Sequence, residues 1–272
     1  MIPAPFDYTR AGSVQEAISL LGADPDAKVL AGGHSLLPAM RLRIARPTML
    51  VDIGRLTDLS YVRQDGDRIA VGALTRHHDV ANAEVLQQLC PIVAHAAGQI
   101  GDPQVRHMGT IGGSVAHGDP AGDLPAVLLA LDAEFVAEGP TGTRTVAAAD
   151  FFTSLFETAL APDEILTEIR VPKANAGWSF IKFQRRAQDW AVVGVSAVRS
   201  NGGVHVALTN MGLTPLRATG VEEAVTGGAD PATAATHADE GTAPPSDAFG
   251  SAGYRRELVK VLVRRALEEA SA

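Results

Sequence analysis

Residues 28–36 read Lys-Val-Leu-Ala-Gly-Gly-His-Ser-Leu. A short apolar run meets two glycines, then His34 and Ser35, and residues 36–43 continue with helical spacing. Strand, glycine loop and helix start follow one another directly. Two chemistries use that order: a serine nucleophile beside a histidine, or a loop whose bare backbone receives a ligand. A hydrolase elbow needs Gly-x-Ser-x-Gly, with glycine on both sides of the serine. Here Gly33-His34-Ser35-Leu36-Leu37 carries only the first glycine. Adjacent side chains also point apart on most backbones, so His34 and Ser35 make a poor catalytic pair. In the loop reading, backbone N–H groups and a hydroxyl converge on one point, which is an anion site. A lone Gly-Gly pair is, equally, an ordinary turn.

A second stretch weighs on that choice. Residues 110–125 read Thr-Ile-Gly-Gly-Ser-Val-Ala-His-Gly-Asp-Pro-Ala-Gly-Asp-Leu-Pro, again with Gly-Gly before Ser. Neither a Walker A string nor a G-x-G-x-x-G fingerprint occurs. Two glycine loops in one domain can grip a diphosphate from two sides, with Ser35, Thr110 and Ser114 as extra donors. The pair points to a dinucleotide-like ligand.

Composition bounds the rest. The chain has 272 residues, 46% apolar content and a net charge of −8. That fits one large domain or two, with a real core. Lys and Arg are scattered without interleaved aromatics, which disfavours nucleic-acid binding. The single cysteine, Cys90, permits no internal disulfide and no cluster held by the chain's own thiolates. It reads as a small buried residue on a helix. The eight histidines include no HExxH, no metal-site spacing is found, and His77-His78 reads as a polar turn or helix start. No signal peptide is expected from the N-terminus. The densest apolar run, residues 125–131, is far below the roughly 18–20 residues of a membrane span. These features predict a cytoplasmic protein, at most peripheral at the inner face of the cell membrane.

The element pattern predicts an α+β fold. Ser13-Val14-Gln15-Glu16 is a capping box, and Val14, Ala17, Ile18 and Leu21 fall on one helical face. With strands over 28–31 and 48–53 and a helix over 36–43, residues 1–55 form an α-β-α-β unit. Asp65-Gly66-Asp67 predicts a hairpin over 61–73. Two helices are expected near 75–81 and 83–98, then a long glycine-rich loop over 99–123 and a helix over 124–131. Strands follow at 133–138 and 144–146, a short helix at 150–156 and a strand at 165–171. Residues 172–177 read as a linker. Strands near 178–184, 192–199 and 203–209 come next. A Gly/Ala/Pro-rich stretch spans 226–253, and a last helix, about 253–270, has Arg and Glu on its outer face. Strands and helices mix without strict βα alternation, which argues for α+β over a doubly wound sheet.

Ala31-Gly32-Gly33-His34-Ser35-Leu36-Leu37-Pro38 and Thr110-Ile111-Gly112-Gly113-Ser114 resemble the two FAD-binding signatures of the medium, flavin-carrying subunits of molybdenum hydroxylases. The likeness is greatest to the aerobic carbon monoxide dehydrogenase type; xanthine dehydrogenase carries a related flavin domain. It extends to Phe6, Tyr8 and the helix start at 13–17, to Ile165 through Pro172, and to Lys182-Phe183, Arg185-Arg186 and Asp189-Trp190-Ala191.

That resemblance implies an FAD-binding domain over 1–175, of the two-subdomain PCMH or vanillyl-alcohol-oxidase-like kind, with subdomains at about 1–55 and 56–175. It implies a smaller C-terminal α+β domain over 176–272 with a three-stranded sheet and helices. Lys28, Val29, Leu30, Ala31, Gly32, Gly33, His34, Ser35 and Leu36 would line the FAD pyrophosphate and ribityl chain. Gly109, Thr110, Gly113 and Ser114 would form the opposing wall. Asp123 would accept from sugar hydroxyls, or cap the helix that follows. Leu166 and Lys182 would approach the isoalloxazine ring. Trp190, where such subunits often carry tyrosine, would offer it an aromatic face; without the resemblance Trp190 reads as core and Lys182 as a solvated charge. Arg185 and Arg186 read as surface or interface residues, and His117 as structural.

The resemblance further implies a molybdenum cofactor on a large partner subunit and two [2Fe-2S] clusters on a small one, in a dimer of heterotrimers. Electrons would pass through FAD to a quinone, cytochrome, oxygen or nicotinamide. Carbon monoxide is the first expectation for the complex's substrate, with xanthine, N-heteroaromatic, nicotine-type and aldehyde substrates as alternatives. Two other readings stay open: a stand-alone FAD oxidoreductase, and a nucleotide-binding scaffold without flavin.

Overall fold

A computed structural model describes residues 2–175, 177–200 and 203–271. Five elements form the N-terminal unit: β1 (Asp7–Arg10), α1 (Val14–Ala23), β2 (Lys28–Leu30), α2 (Leu36–Arg41) and β3 (Met49–Asp52). The strands make a parallel sheet in the order β1-β3-β2. Ser13 caps α1, its hydroxyl accepting from the Glu16 N–H at 3.1 Å, and Glu16 Oε2 accepts from the Gly12 N–H at 2.7 Å. Val14, Ala17, Ile18 and Leu21 are buried as the spacing requires, against Val51 and Ile53. Strand β1 is absent from the sequence reading because its residues are mostly exposed and give no alternation.

The middle of the chain runs β4 (Val62–Asp65), β5 (Arg68–Gly72), α3 (His77–Asn82), α4 (Glu84–Leu89), α5 (Pro91–Gly98), α6 (Pro103–Met108), α7 (Ile111–His117), α8 (Asp123–Ala130), β6 (Glu134–Gly139), β7 (Gly142–Ala147), α9 (Ala148–Phe151), β8 (Phe152–Ser154), β9 (Glu157–Thr158) and β10 (Ile165–Pro172). A five-stranded antiparallel sheet has the order β4-β5-β10-β6-β7. Its central strand β10 is buried from Ile165 to Ile169.

Three expectations need correction here. The helix predicted over 83–98 is two helices, because Pro91 disfavours helical backbone at Cys90, which sits at φ −153°. Residues 99–123 are no long loop: they hold α6 and α7. Asp102 caps α6 and Pro103 opens it, a start signal that the glycines around it obscure. Helix α7 carries two glycines, poor helix formers. Tertiary packing holds it: Ile111 and Val115 are buried, and Gly112 lies so close to Ala73 that a β-carbon there would stand 2.5 Å from the alanine's. The helix expected at 150–156 lies instead at 148–151, and Phe152 begins the β8–β9 hairpin.

The remaining elements are β11 (Trp178–Phe183), β12 (Val193–Ser200), β13 (Gly203–Thr209), β14 (Leu216–Arg217), α10 (Thr219–Thr226), α11 (Pro231–Ala234) and α12 (Ala252–Ser271). The sheet has four strands rather than three, because the two-residue edge strand β14 joins β13. The linker expected at 172–177 is shortened by Pro172, which pairs with Arg68, and its Ala176 lies outside the described residues. One face of the sheet takes α12, through Val259, Leu262, Val263 and Ala266. Arg255 departs from the outward-facing pattern expected of that helix. It is fully buried, donates to the Val192 carbonyl, and places Nη2 2.8 and 2.7 Å from the two carboxylate oxygens of Asp247. The other face meets α8, all of whose residues are buried. A single apolar cluster therefore joins β5, α5, α8 and β10 to Phe180, Val198 and Ala207 of the four-stranded sheet. No helix among the described residues is long and apolar enough to cross a membrane.

Candidate cofactor-binding site

The first glycine stretch leaves the C-terminal end of β2, at the carboxyl edge of the parallel sheet, where open sheets of this kind receive ligands. Gly33 has φ +73°, a conformation that costs an L-residue strain. The loop's N–H groups from Gly32 to Leu36 meet no protein acceptor among the described residues, while the Gly33 and Ser35 carbonyls begin α2 by accepting from Leu37 and Ala39. Ser35 sits at the N-cap without using its hydroxyl, and His34 Nδ1 lies 3.0 Å from its own Gly32 carbonyl. Lys28, His34 and Ser35 are exposed; Val29 through Gly33 and Leu36 are half-buried.

The second glycine stretch behaves differently. Gly112 and Gly113 lie inside the first turn of α7 rather than in a loop. Thr110 caps that helix, its Oγ1 accepting from the Gly113 N–H at 3.0 Å. The Ile111 and Gly112 amides donate to the Thr75 and Ala73 carbonyls, and the Ser114 amide to the Thr110 carbonyl. These amides are consumed by the fold, so the free-donor expectation holds for the first stretch and fails for the second. What the second stretch offers is a close-packed glycine surface.

The two stretches meet. A β-carbon on Gly32 would collide with the Met108 carbonyl oxygen and stand 2.8 Å from the Gly109 Cα. Arg76 donates to that same carbonyl, and the His77 N–H donates to the Gly109 carbonyl at 3.0 Å. The His77 ring lies against Gly109; it is buried and its Nδ1 has no partner among the described residues. Burial, with His34, Arg106 and Arg76 nearby, lowers its pKa to about 4, so it is neutral at physiological pH. His77 is the first residue of α3, in line with the helix-start reading of its motif. Arg76, His77 and Met108 were not recognised in the sequence as site residues; nothing in their spacing links them to residue 32.

Leu166 is buried in β10, beside a bulge between Leu166 and Glu168. Ala73 connects this bulge to α7: its N–H donates to the Thr167 carbonyl and its carbonyl accepts from Gly112. Asp123 opens α8 as its first residue, and Gly122 occupies the cap position. Its carboxylate faces Lys182 instead of capping, at 2.7 Å from Nζ. Lys182 is not a solvated charge: its side chain is 2% exposed. Trp190 is 70% exposed and is not core. Arg185 and Arg186 are exposed, as expected, and His117 packs on Phe156. Gly32–Gly33 and Gly109–Thr110 are thus brought together, Asp123 and Lys182 form a second pair, and Trp190 lies on the surface.

The chain matches the model of the FAD-binding domain in molybdopterin dehydrogenases over residues 4–174, and that of the CO dehydrogenase flavoprotein C-terminal domain over residues 178–270. It belongs to the flavin subunits of the molybdenum hydroxylases. It is 42% identical to the carbon monoxide dehydrogenase medium chain of Hydrogenophaga pseudoflava, over 99% of this chain and 98% of that one. The glyceraldehyde dehydrogenase medium chain of Sulfolobus acidocaldarius is 39% identical, over 99% of both. Among solved structures, carbon monoxide dehydrogenase from H. pseudoflava aligns with a TM-score of 0.96 at 43% identity, covering 100% and 99% of the two chains. Quinoline 2-oxidoreductase from Pseudomonas putida 86 aligns at 0.92 with 30% identity, over 100% and 99%. As a flavin subunit of this family the chain is part of an oxidoreductase, and FAD is its cofactor. Its residues fit that group: a glycine wall that admits no β-carbon and, among the described residues, a run of uncommitted amides and a buried carboxylate whose Oδ1 lacks a partner.

Proposed function

We propose that this chain takes electrons from the iron–sulfur clusters of a small partner subunit and passes them to an external acceptor. The complex would resemble aerobic carbon monoxide dehydrogenase, with a molybdenum-bearing large subunit, two trimers per assembly and a cytoplasmic location. The observation that carries this reading is the contact of Gly32 with Met108–Gly109, which joins the two motifs into one cradle. In it the Gly32–Leu36 amides hold the FAD diphosphate, with Lys28, Val29, Leu30 and Ala31 on the approach. Gly109, Thr110, Gly113 and Ser114 form the opposite wall. Asp123 accepts from polyol hydroxyls, Leu166 stands toward the ring, Lys182 acts beside it by binding Asp123, and Trp190 offers its face to the ring or to a partner. FAD supplies one- and two-electron redox chemistry, which lets electrons arrive singly and leave in pairs. The chain's own part is to bind, orient and exclude water, and no general base is assigned to it. The domain division that goes with this reading is 1–175 and 176–272, with subdomains at 1–55 and 56–175.

The near-equal identity to a glyceraldehyde dehydrogenase medium chain supports a second reading of the substrate, an aldehyde or another small organic molecule oxidised on the large subunit. The test is the visible spectrum of the tagged protein purified from its own host, beside Gly32→Ala. Flavin bands overlaid on iron–sulfur absorption, with flavin lost in Gly32→Ala, are expected. Flavin bands alone would favour an independent flavoenzyme. A colourless protein that takes up no added FAD would overturn the cradle.

A further inference from the structure

Lys182 leaves β11 in the four-stranded sheet, yet both acceptors of its ammonium belong to the other side of the molecule. Nζ donates to Asp123 Oδ2 at 2.7 Å and to the Gln99 carbonyl, just past α5, at 3.1 Å. The side chains are 2% and 7% exposed. A buried ion pair in water-free surroundings is costly unless its remaining polar atoms are satisfied. Here one is not: Asp123 Oδ1 is buried and accepts from nothing among the described residues. A carboxylate oxygen in that state calls for a hydrogen-bond donor, from a bound water or from a ligand hydroxyl.

We propose that Lys182 is a positioning residue, which holds Asp123 as an oriented carboxylate so that Oδ1 can accept from an FAD polyol hydroxyl, and so makes flavin retention depend on docking of the β11–β14 sheet. The proposal rests on the FAD reading above and adds to it what keeps Asp123 competent. Burial pushes the Asp123 carboxyl up to about 6, Lys182 pulls it down, and Asp119 pushes it further up. Around α8, β11 supplies Lys182 and the α7–α8 connection supplies Asp119. Helix α5 presents His95 through Gln99, α7 ends at His117, α9 carries Asp150, and β13 and β14 bring His205 and Arg217 to the far end. Lys182 is the cation bonded to the carboxylate. Without it, the proton would bind Asp123 at higher pH, and a neutral carboxyl accepts a hydroxyl less strongly.

The experiment measures FAD affinity of the full-length chain by flavin fluorescence from pH 5 to 9, for the parent, Lys182→Met, Lys182→Arg, Asp123→Asn and the Met/Asn double variant. Lys182→Met is expected to weaken FAD about tenfold at neutral pH and to move the pH midpoint upward. Lys182→Arg is expected to restore most of both, and Asp123→Asn to abolish the pH dependence. In the Asp123→Asn background, Lys182→Met should cost little more, because it acts through the carboxylate. Equal, additive losses in both backgrounds with an unmoved midpoint would make Lys182 a direct flavin contact and overturn the proposal. So would unchanged affinity in Lys182→Met. A parent chain that binds no FAD would instead overturn the underlying FAD reading. If Lys182→Met fails to fold, Lys182→Arg and Asp123→Asn alone still decide: a flat parent profile, or one Asp123→Asn leaves intact, counts against it.

Discussion

His77 shows what a single buried residue can reveal about this site. Its ring fills the space beneath Gly109, and burial lowers its pKa from 6.5 to about 4. The unfolded chain takes up that proton as pH falls through 6.5, whereas the folded chain resists until about 4. Stability associated with neutral His77 is therefore complete above pH 6.5 and is lost as pH falls toward 4, by roughly 2–3 kcal/mol. Urea unfolding at pH 7.5 and at pH 5 should show this loss in the parent and a smaller one in His77→Phe. An identical pH dependence in both would mean that another group is responsible. The sequence offered no way to see this. His77-His78 looks polar, and its burial depends on a loop more than thirty positions away. Asp123 and Lys182 were named, but their partnership was not readable, because the 59 positions between them are closed only by the docking of two sheets through α8.

At the scale of elements, legibility follows periodicity. Helix α1, the β4–β5 hairpin and strands β10 to β13 carry clean alternation or capping signals and lie where the sequence puts them. Helix α7 does not, because a Gly-Gly pair argues against a helix until Ala73 is known to sit against it. What begins α7 is Thr110, an N-cap with a buried hydroxyl. Removing that hydroxyl leaves the Gly113 amide without its acceptor. Thr110→Ala should cost about 1–2 kcal/mol, measured as a shift in the urea midpoint, and Thr110→Ser should recover most of it. Equal destabilisation by Ala and Ser would assign the loss to the methyl group and its packing. The β14 strand and the division of the 83–98 helix were missed for simpler reasons. Two residues are too short to show a period, and Pro91, the first residue of α5, marks a boundary inside the span predicted as one helix.

At the scale of the whole molecule, α8 is the shared spine. Its first residue is bound by Lys182 from β11. At its other end the Ala130 carbonyl lies 3.2 Å from His205 Nδ1, and Arg217 reaches Leu129's carbonyl and Asp132, the last at 2.6 Å. A cation at a helix C-terminus is favourable in itself, and here Arg217 brings one from the four-stranded sheet. The apolar cluster also runs without a break from β5 to Val198 and Ala207. Two family models divide the chain near residue 176, yet the cluster around α8 crosses that division and loses Phe180, Val198 and Ala207 when the C-terminal side leaves. The chain should therefore unfold as one cooperative unit. Both tryptophans, Trp178 and Trp190, lie on the C-terminal side, so their fluorescence reports that side alone. Circular dichroism reports the whole chain, and flavin fluorescence the cradle. The three urea transitions should coincide, and residues 1–175 expressed alone should fail to fold stably, because the face of α8 would be bare. A tryptophan transition well separated from the other two would show that the ion pair and the spine join domains that are stable apart.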